Sequence, residues 1–296
     1  MKSLIKILKF ICQHPLSGKH KIKALYTFFV WQFTQLLFPR MVACEFVNNT
    51  KIWAKKGMEA ATANIYTGLH EFNEMSFLLH FLRPHDLFVD VGANIGSYTI
   101  LASGVVGAET ICIEPVRNTF NLAVKNIALN NIESKTDLLN IGVSSKEGYL
   151  FFTNTKGSLN HVVLNIENQS QIDSVPVKTL DNILRNNKCP ALIKIDVEGY
   201  EQEVINGASN TLEDQNLKAI IIELNGGAKN YGFDEKNIHT RLLLHGFNPY
   251  TYYPFDRKLK PLSNWGTNNT IYIRDYKFVE KRVSTGEKIR IFSETF

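Results

Sequence analysis

A short buried-strand run, Leu87-Phe-Val-Asp-Val91, closes on an acid and then enters a tight glycine loop, Gly92-Ala-Asn-Ile-Gly96. Helix-forming residues follow, and a second apolar run, Thr110-Ile-Cys-Ile113, ends on Glu114. Strand, glycine turn, helix, strand is the opening βαβ unit of a nucleotide-cofactor fold. Glycine lets the backbone approach a ligand, and an acid ending the second strand stands where a ribose hydroxyl needs an acceptor. Glu114 lies 22 residues beyond Gly92, near the roughly 20 expected of such an acid. A dinucleotide fingerprint would need G-x-G-x-x-G so that backbone amides can take a pyrophosphate. Its second and third glycine positions hold Asn94 and Ser97 here. The loop therefore points to an adenosine cofactor without a pyrophosphate, S-adenosylmethionine first among them. A plain strand-to-helix turn is the alternative, and Glu114 weighs against it.

At 296 residues and 44% hydrophobic content the chain can bury one substantial core and still carry an appendage. A net charge of +5, with no basic tract interleaved with aromatics in the body, implies no nucleic acid partner. Cys12, Cys44, Cys112 and Cys189 are far apart and form no C-x-x-C pair. They read as reduced thiols in a cytoplasmic protein, with no structural zinc.

The first forty residues differ from the rest. Residues 1–45 read as a basic amphipathic helical segment, with Leu4, Leu8 and Ile11 on one face, and lysines and a histidine before the apolar stretch Ala24 to Phe38. That stretch is short of the roughly 20 apolar residues a spanning helix needs. Lysines interrupt the first apolar run, so a signal peptide fits badly. Two readings stay open: peripheral contact of residues 1–40 with an anionic inner membrane face, or a helical cap packed on the domain or on a second subunit.

Residues 46–85 read as a helical lead-in, with a helix over Phe72 to Leu82, and 276–296 as a tail. Between them, strands are expected at Asp86–Val91, Glu109–Glu114, Thr136–Val143, Ala191–Val197, Lys218–Leu224, Phe247–Tyr253 and Thr270–Arg274. Helices are expected at Ser97–Val106, Arg117–Asn130, Tyr200–Leu212 and Asp234–Leu244. Two strands of an insertion, Gly148–Thr153 and Gln171–Val177, flank a polar loop over residues 154–170. The alternation predicts an α/β domain over 86–275 with a mostly parallel, doubly wound sheet closing in an edge hairpin.

Ligands in such sheets sit beyond the carboxyl ends of the strands. The fourth strand ends Lys194-Ile-Asp196-Val-Glu198 and the fifth Glu223-Leu-Asn225-Gly226. Lys194, Asp196 and Glu198 share a period of two. Lys194 reads as a structural ion-pair partner of Asp196. Asp196 and Glu198 are the candidate catalytic residues, because clustered, buried carboxyls gain pKa values suited to a general base. A divalent ion bridging Asp196 and Glu223 is a second way to activate a hydroxyl. Asn225 fits either the cleft or a turn, and His161 in the insertion loop ranks low as a contact.

Three blocks, LFVDVGANIGSYTILA, IEPVRNTFNLAVKNIALN and LIKIDVEGYEQEVINGA, resemble the FkbM-type S-adenosylmethionine-dependent methyltransferases over roughly residues 70 to 275. The resemblance implies a class I methyltransferase-like (Rossmann-like) seven-stranded sheet with a terminal β-hairpin, here with an N-terminal helical extension. It implies methylation of a hydroxyl, on a sugar of a glycolipid or polysaccharide or on a natural product. Carried onto matching positions, Asp90, Gly92, Asn94 and Gly96 would form the cofactor loop and Glu114 would take the ribose hydroxyls. Asp196 and Glu198 would sit near the methyl group and the acceptor, and Asn140 to Gly142 would border the adenine. Enzymes that methylate planar amines usually carry an Asn/Asp-Pro-Pro-aromatic turn where this chain has Asp196-Val-Glu-Gly, which favours oxygen over nitrogen. A catalytically silent methyltransferase-like binding subunit is the rival from another class. The acceptor and the oligomeric state are not written in the sequence.

Overall fold

A computed structural model describes residues 2–155, 157, 160–164 and 171–296. Eight strands form the main sheet: β1 (Leu87–Val91), β2 (Glu109–Ile113), β3 (Thr136–Leu139), β4 (Leu192–Ile195), β5 (Ala219–Glu223), β6 (Asn248–Tyr253), β7 (Lys258–Pro261) and β8 (Asn269–Ile273). Their order is β7-β6-β8-β5-β4-β1-β2-β3. Strands β1 to β5 pair in parallel, and β8 and β6 antiparallel. This is the doubly wound class I methyltransferase sheet with one strand more than the seven expected. The extra strand, β7, hairpins onto β6 within the connection between the last two expected strands. The last two expected strands do pair antiparallel, with β8 lying between β5 and β6.

Period-two alternation in β1, β4 and β5 sorts the core into two layers. Phe88, Leu192, Ala219 and Ile221 face Met75, Phe77 and Phe81. Leu87, Val89, Ile193, Ile195, Ile220 and Ile222 face Val204, Leu212, Ile238 and Leu242. Each fully buried Leu, Ile or Phe contributes about 1.5–3 kcal/mol, which is what sandwiches the sheet. Because Lys194 is the register partner of Asp90, a cation and an acid lie side by side at the carboxyl end of this core.

Several boundaries differ from those expected. The helix after the glycine loop starts as α over Ser97–Thr99 and continues as a π-helix over Ile100–Val106. The third strand breaks: Gly142–Val143 leaves the main sheet and joins Gly148–Thr153, Val162–Val163 and Ile172–Lys178 in a separate four-stranded sheet. The helix expected over 200–212 is split into Glu201–Asn206 and Ser209–Glu213. Much of the polar loop expected at 154–170 falls outside the described residues. Residues 276–296 carry a helix, Tyr276–Ser284, and a two-stranded hairpin.

Helices α1 (Lys2–Gln13) and α2 (Lys21–Leu37) precede a short hairpin of Val42–Glu45 with Lys51–Ala54, then α3 (Glu59–Thr67) and α4 (Phe72–Phe81). Ile11, Ala24, Phe28 and Trp31 are buried against Ile52, Ala61, Tyr66, Ile95 and Ile100, which seats the N-terminal helices on the domain. Among the described residues no helix is long and apolar enough to cross a membrane.

Candidate active site

The carboxyl ends of β1, β2, β4 and β5 open into one cleft, enclosing ≈ 290 Å³, at the lower end for small-molecule sites. The sheet supplies Gly92, Asn94, Glu114, Lys194, Asp196, Glu198 and Glu223. Helix α3 adds Glu59, Ala60 and Ala63, and the turn between α3 and α4 adds His70 and Glu71. Phe152, Gly157 and Asn160 of the insertion close another side. Five of the seven sequence-derived candidates thus line one cavity. Asp90 and Gly96 are not among its lining residues. Asp90 lies buried beneath the loop, where the Thr99 hydroxyl donates to it at 2.8 Å, and burial pushes its carboxyl up against the pull of Lys194.

The loop is shaped by its neighbours. Gly92 has φ +77, and a Cβ there would stand 1.8 Å from the Asp196 carbonyl oxygen. Only glycine allows the turn after β1 to pass so close to the turn after β4. The close approach is therefore between two loops of the protein. Glu114 locks the same loop from below: its carboxylate accepts from the Asn94 and Val116 backbone N–H groups, each at 2.9 Å. A carboxylate has about four acceptor sites, so Glu114 keeps capacity for further donors. Asn140 donates to the Glu114 and Pro115 carbonyls, bracing this corner. Beside it Ile113, Pro115, Ile141, Gly142 and Val143 line a narrow apolar slot.

On the opposite wall Lys194 Nζ bonds Asp196 Oδ2 at 2.8 Å and stands 4.9 Å over the Tyr98 ring. Burial opposes the Lys194 charge, yet Asp196, Glu71 and Asp90 together hold its pKa above the ordinary value. Glu71 accepts from the Tyr98 hydroxyl and the Asn269 amide, both at 2.6 Å. Glu198 sits in the left-handed region at φ 56, a strained placement of the kind that gathers at functional sites. Burial and the Asp196 charge push its carboxyl up to about 7. Asn225 turns away: it caps the Gly227 N–H at 2.8 Å, so it belongs to the turn. His161 is not among the cleft residues.

The sequence reading passed over His70 and Glu71, because only the α3–α4 turn brings them to the sheet. A His-Glu pair just before the helix expected at Phe72 was the one available signal. The Asn64 amide decides the state of His70. Its Nδ2 donates to the Ala60 carbonyl, and its Oδ1 accepts the His70 backbone N–H at 2.9 Å. His70 Nδ1, 3.1 Å from that same Oδ1, must then carry the proton, since an amide oxygen only accepts. Nε2 is left as a bare base with Glu71 Oε2 3.8 Å away. Burial lowers the His70 pKa, so the ring is neutral at pH 7.

The profile described as the methyltransferase FkbM domain matches residues 90–249, more than half of the chain. This chain belongs to the FkbM methyltransferase family. It is 29% identical over 179 residues to the hexuronic acid methyltransferase AglP of Haloferax volcanii, covering 58% of this chain and 67% of that protein. It is 27% identical over 165 residues to methyltransferase 1 of Beauveria bassiana, covering 48% and 66%. Among solved structures it resembles TrmK of M. capricolum, determined with S-adenosylhomocysteine, at 9% identity, TM-score 0.40 and 68% coverage of each chain.

As an FkbM methyltransferase it uses S-adenosylmethionine, and the cleft fits that cofactor. Ser97 and Glu223 of the cleft wall carry buried oxygens, Oγ and Oε2, without a hydrogen-bond partner among the described residues. Such atoms are costly unless a ligand answers them. Carboxyls from Glu59, Glu71, Glu114, Asp196, Glu198 and Glu223 outnumber Lys194, the one ammonium among the described lining residues, which suits a cationic ligand. Among the described residues no three His, Cys, Asp or Glu side chains are placed to hold a metal ion together.

Crowded carboxyls also make stability depend on pH. Burial, then Asp196 and Glu198, raise Glu223 to about 9, against about 4.5 in an unfolded chain. Between pH 7 and 9 the folded FkbM methyltransferase holds this proton and the unfolded chain does not, so stability falls as pH rises. The melting temperature of the ligand-free protein is expected to drop across that window, and Glu223→Gln to flatten the slope. An unchanged slope in the variant would show that the proton sits elsewhere.

Proposed function

We propose that this FkbM methyltransferase transfers a methyl group from S-adenosylmethionine to a hydroxyl of a sugar, in a glycolipid, a polysaccharide or a similar glycan. The observation that carries this reading is the presence in one cleft of the Gly92–Asn94 loop with Glu114 and of a histidine held in its basic tautomer. The sugar class takes support from the likeness to a hexuronic acid methyltransferase. Oxygen takes support from the Asp196-Val-Glu-Gly turn, which lacks the prolines and aromatic of amine methylators.

In this reading Gly92, Asn94 and Gly96 shape the cofactor loop from above and Asp90 supports it from below. Glu114 takes the ribose hydroxyls, and the slot at Ile113, Pro115 and Ile141 takes the adenine. When bound, the cofactor supplies an electrophilic methyl carbon on a sulfonium. A sugar hydroxyl attacks poorly while it keeps its proton. His70 Nε2 accepts that proton, and the nearby Glu71 carboxylate stabilises the imidazolium that forms, while Asn64 holds the ring in place. Asp196, steadied by Lys194, and Glu198 fix the acceptor through its other hydroxyls; orienting the two reactants supplies most of the acceleration. A second reading makes Glu198 the base, on the strength of its raised pKa and strained backbone.

Calorimetric titration with S-adenosylhomocysteine tests the cofactor half. Glu114→Ala removes charge-assisted bonds of about 1.5–3 kcal/mol each, so affinity is expected to fall about 10- to 100-fold. No binding by the folded wild-type protein would replace this proposal with a silent binding subunit. A screen of glycan hydroxyl acceptors against amine acceptors then tests the reaction, and product only from amines would overturn oxygen transfer.

A further inference from the structure

Helix α2 carries apolar residues on two sides. Ala24, Phe28, Trp31 and Gln35 face the domain and are buried. Ile22, Tyr26, Phe29, Phe33 and Leu36 are 87%, 69%, 54%, 63% and 66% exposed. At 3.6 residues per turn the two sets lie about half a turn apart. The second set is therefore a continuous stripe turned away from the protein, and α1 adds exposed apolar residues of its own, Leu4, Ile5 and Phe10. An exposed apolar surface of this extent marks an interaction site.

Charge identifies the occupant. From Met1 to Cys44 the chain has six lysines and Arg40 and no Asp or Glu, whereas acids slightly outnumber bases in the remainder. Lys6, Lys9, Lys21, Lys23 and Arg40 are exposed. A second copy packed on this face would bring two all-basic rims together with no acid from this segment to pair them, at a cost in like-charge repulsion. An anionic lipid surface answers both features, with headgroups for the lysines and acyl chains for the aromatic stripe. We propose that the outer face of α1 and α2 docks this protein on an anionic bilayer, lying in the interface without crossing it.

The placement also bears on the cleft. Phe28 packs edge-on to Tyr66, and Gln32 donates to the Tyr66 hydroxyl at 3.2 Å. Tyr66 belongs to α3, whose Glu59, Ala60 and Ala63 line the cleft. Docking would thus hold the cleft one helix from the lipid, where a lipid-linked acceptor is at hand. That consequence rests on the methyltransferase reading; the docking does not.

Co-sedimentation with phosphatidylcholine vesicles, with and without phosphatidylglycerol, tests the surface. Wild-type protein should sediment with the anionic vesicles and lose much of that binding at high salt. The triple variant Phe29→Ser/Phe33→Ser/Leu36→Ser, confined to exposed positions, should bind about tenfold more weakly or less. Lys9→Glu/Lys21→Glu should weaken it independently, so a folding defect in the first variant would not decide the matter. Both variants should keep wild-type affinity for S-adenosylhomocysteine, which separates docking from catalysis. No binding to anionic vesicles, or equal binding by wild type and both variants, would overturn the proposal. So would a wild-type dimer that the triple variant dissociates and that ignores vesicles, which would assign the face to a second copy.

Discussion

His70→Gln is expected to lower kcat by about 10²–10⁴-fold, the usual contribution of a general base, while affinity for S-adenosylhomocysteine stays near wild type. Glutamine keeps much of the side-chain bulk and can still donate towards Asn64, but it cannot accept a proton. The pH profile supplies the sharper readout. Burial holds His70 below its ordinary value of about 6.5, so kcat should stay level at neutral pH and fall only when the medium becomes acidic enough to protonate the ring. Were Glu198 the base, kcat would already be falling at about pH 7, where its carboxyl titrates. Glu198→Gln should therefore raise KM for the acceptor more than it lowers kcat, and leave the acid limb where it is. Near-normal turnover in His70→Gln, or an acid limb at pH 7 that vanishes in Glu198→Gln, would transfer the role to Glu198.

What the chain discloses before it folds follows how local each determinant is. The run Leu87–Val91 and the acid at Glu114 are legible because a buried parallel strand and its terminal turn are written in consecutive residues. The same holds for the Lys194–Asp196 pair, where period two puts both groups on one side of a strand end. Illegible were the contributions of tertiary geometry. His70 reaches the cleft only because α3 and α4 fold back over the sheet, and its tautomer depends on Asn64, buried six residues earlier. The β7 strand escaped notice because Lys258-Leu-Lys-Pro261 has one buried residue, Leu259, and takes its order from the β6 edge. Gly92 was read as making room for a ligand. The close pass of the turn after β4 accounts for the residue first, since the atom that would collide with a Cβ belongs to Asp196.

That close pass makes Gly92→Ala the most crowded of the glycine-to-alanine changes. Two costs combine at this position. A non-glycine residue at φ +77 loses about 1–2 kcal/mol to the left-handed backbone. The added methyl must also displace the Asp196 carbonyl oxygen, 1.8 Å from where its carbon would stand, and overpacking of this kind adds about 1–3 kcal/mol. Gly232 separates the two, since its φ is +76 and a Cβ there would meet nothing within 4 Å. Gly232→Ala should therefore show the backbone cost alone, a modest fall in melting temperature with ligand affinity intact. Gly92→Ala should melt lower still. It should also bind S-adenosylhomocysteine at least about tenfold more weakly, because the loop cannot shift without stretching the 2.9 Å bond from Asn94 N–H to Glu114, a charge-assisted contact of about 1.5–3 kcal/mol. Turnover should fall further than affinity, since moving the Asp196 carbonyl also disturbs the Lys194 pair on the acceptor side. Equal behaviour of the two variants would mean that the turns after β1 and β4 yield independently, and that the cofactor and acceptor halves of the cleft are not held in register by this contact.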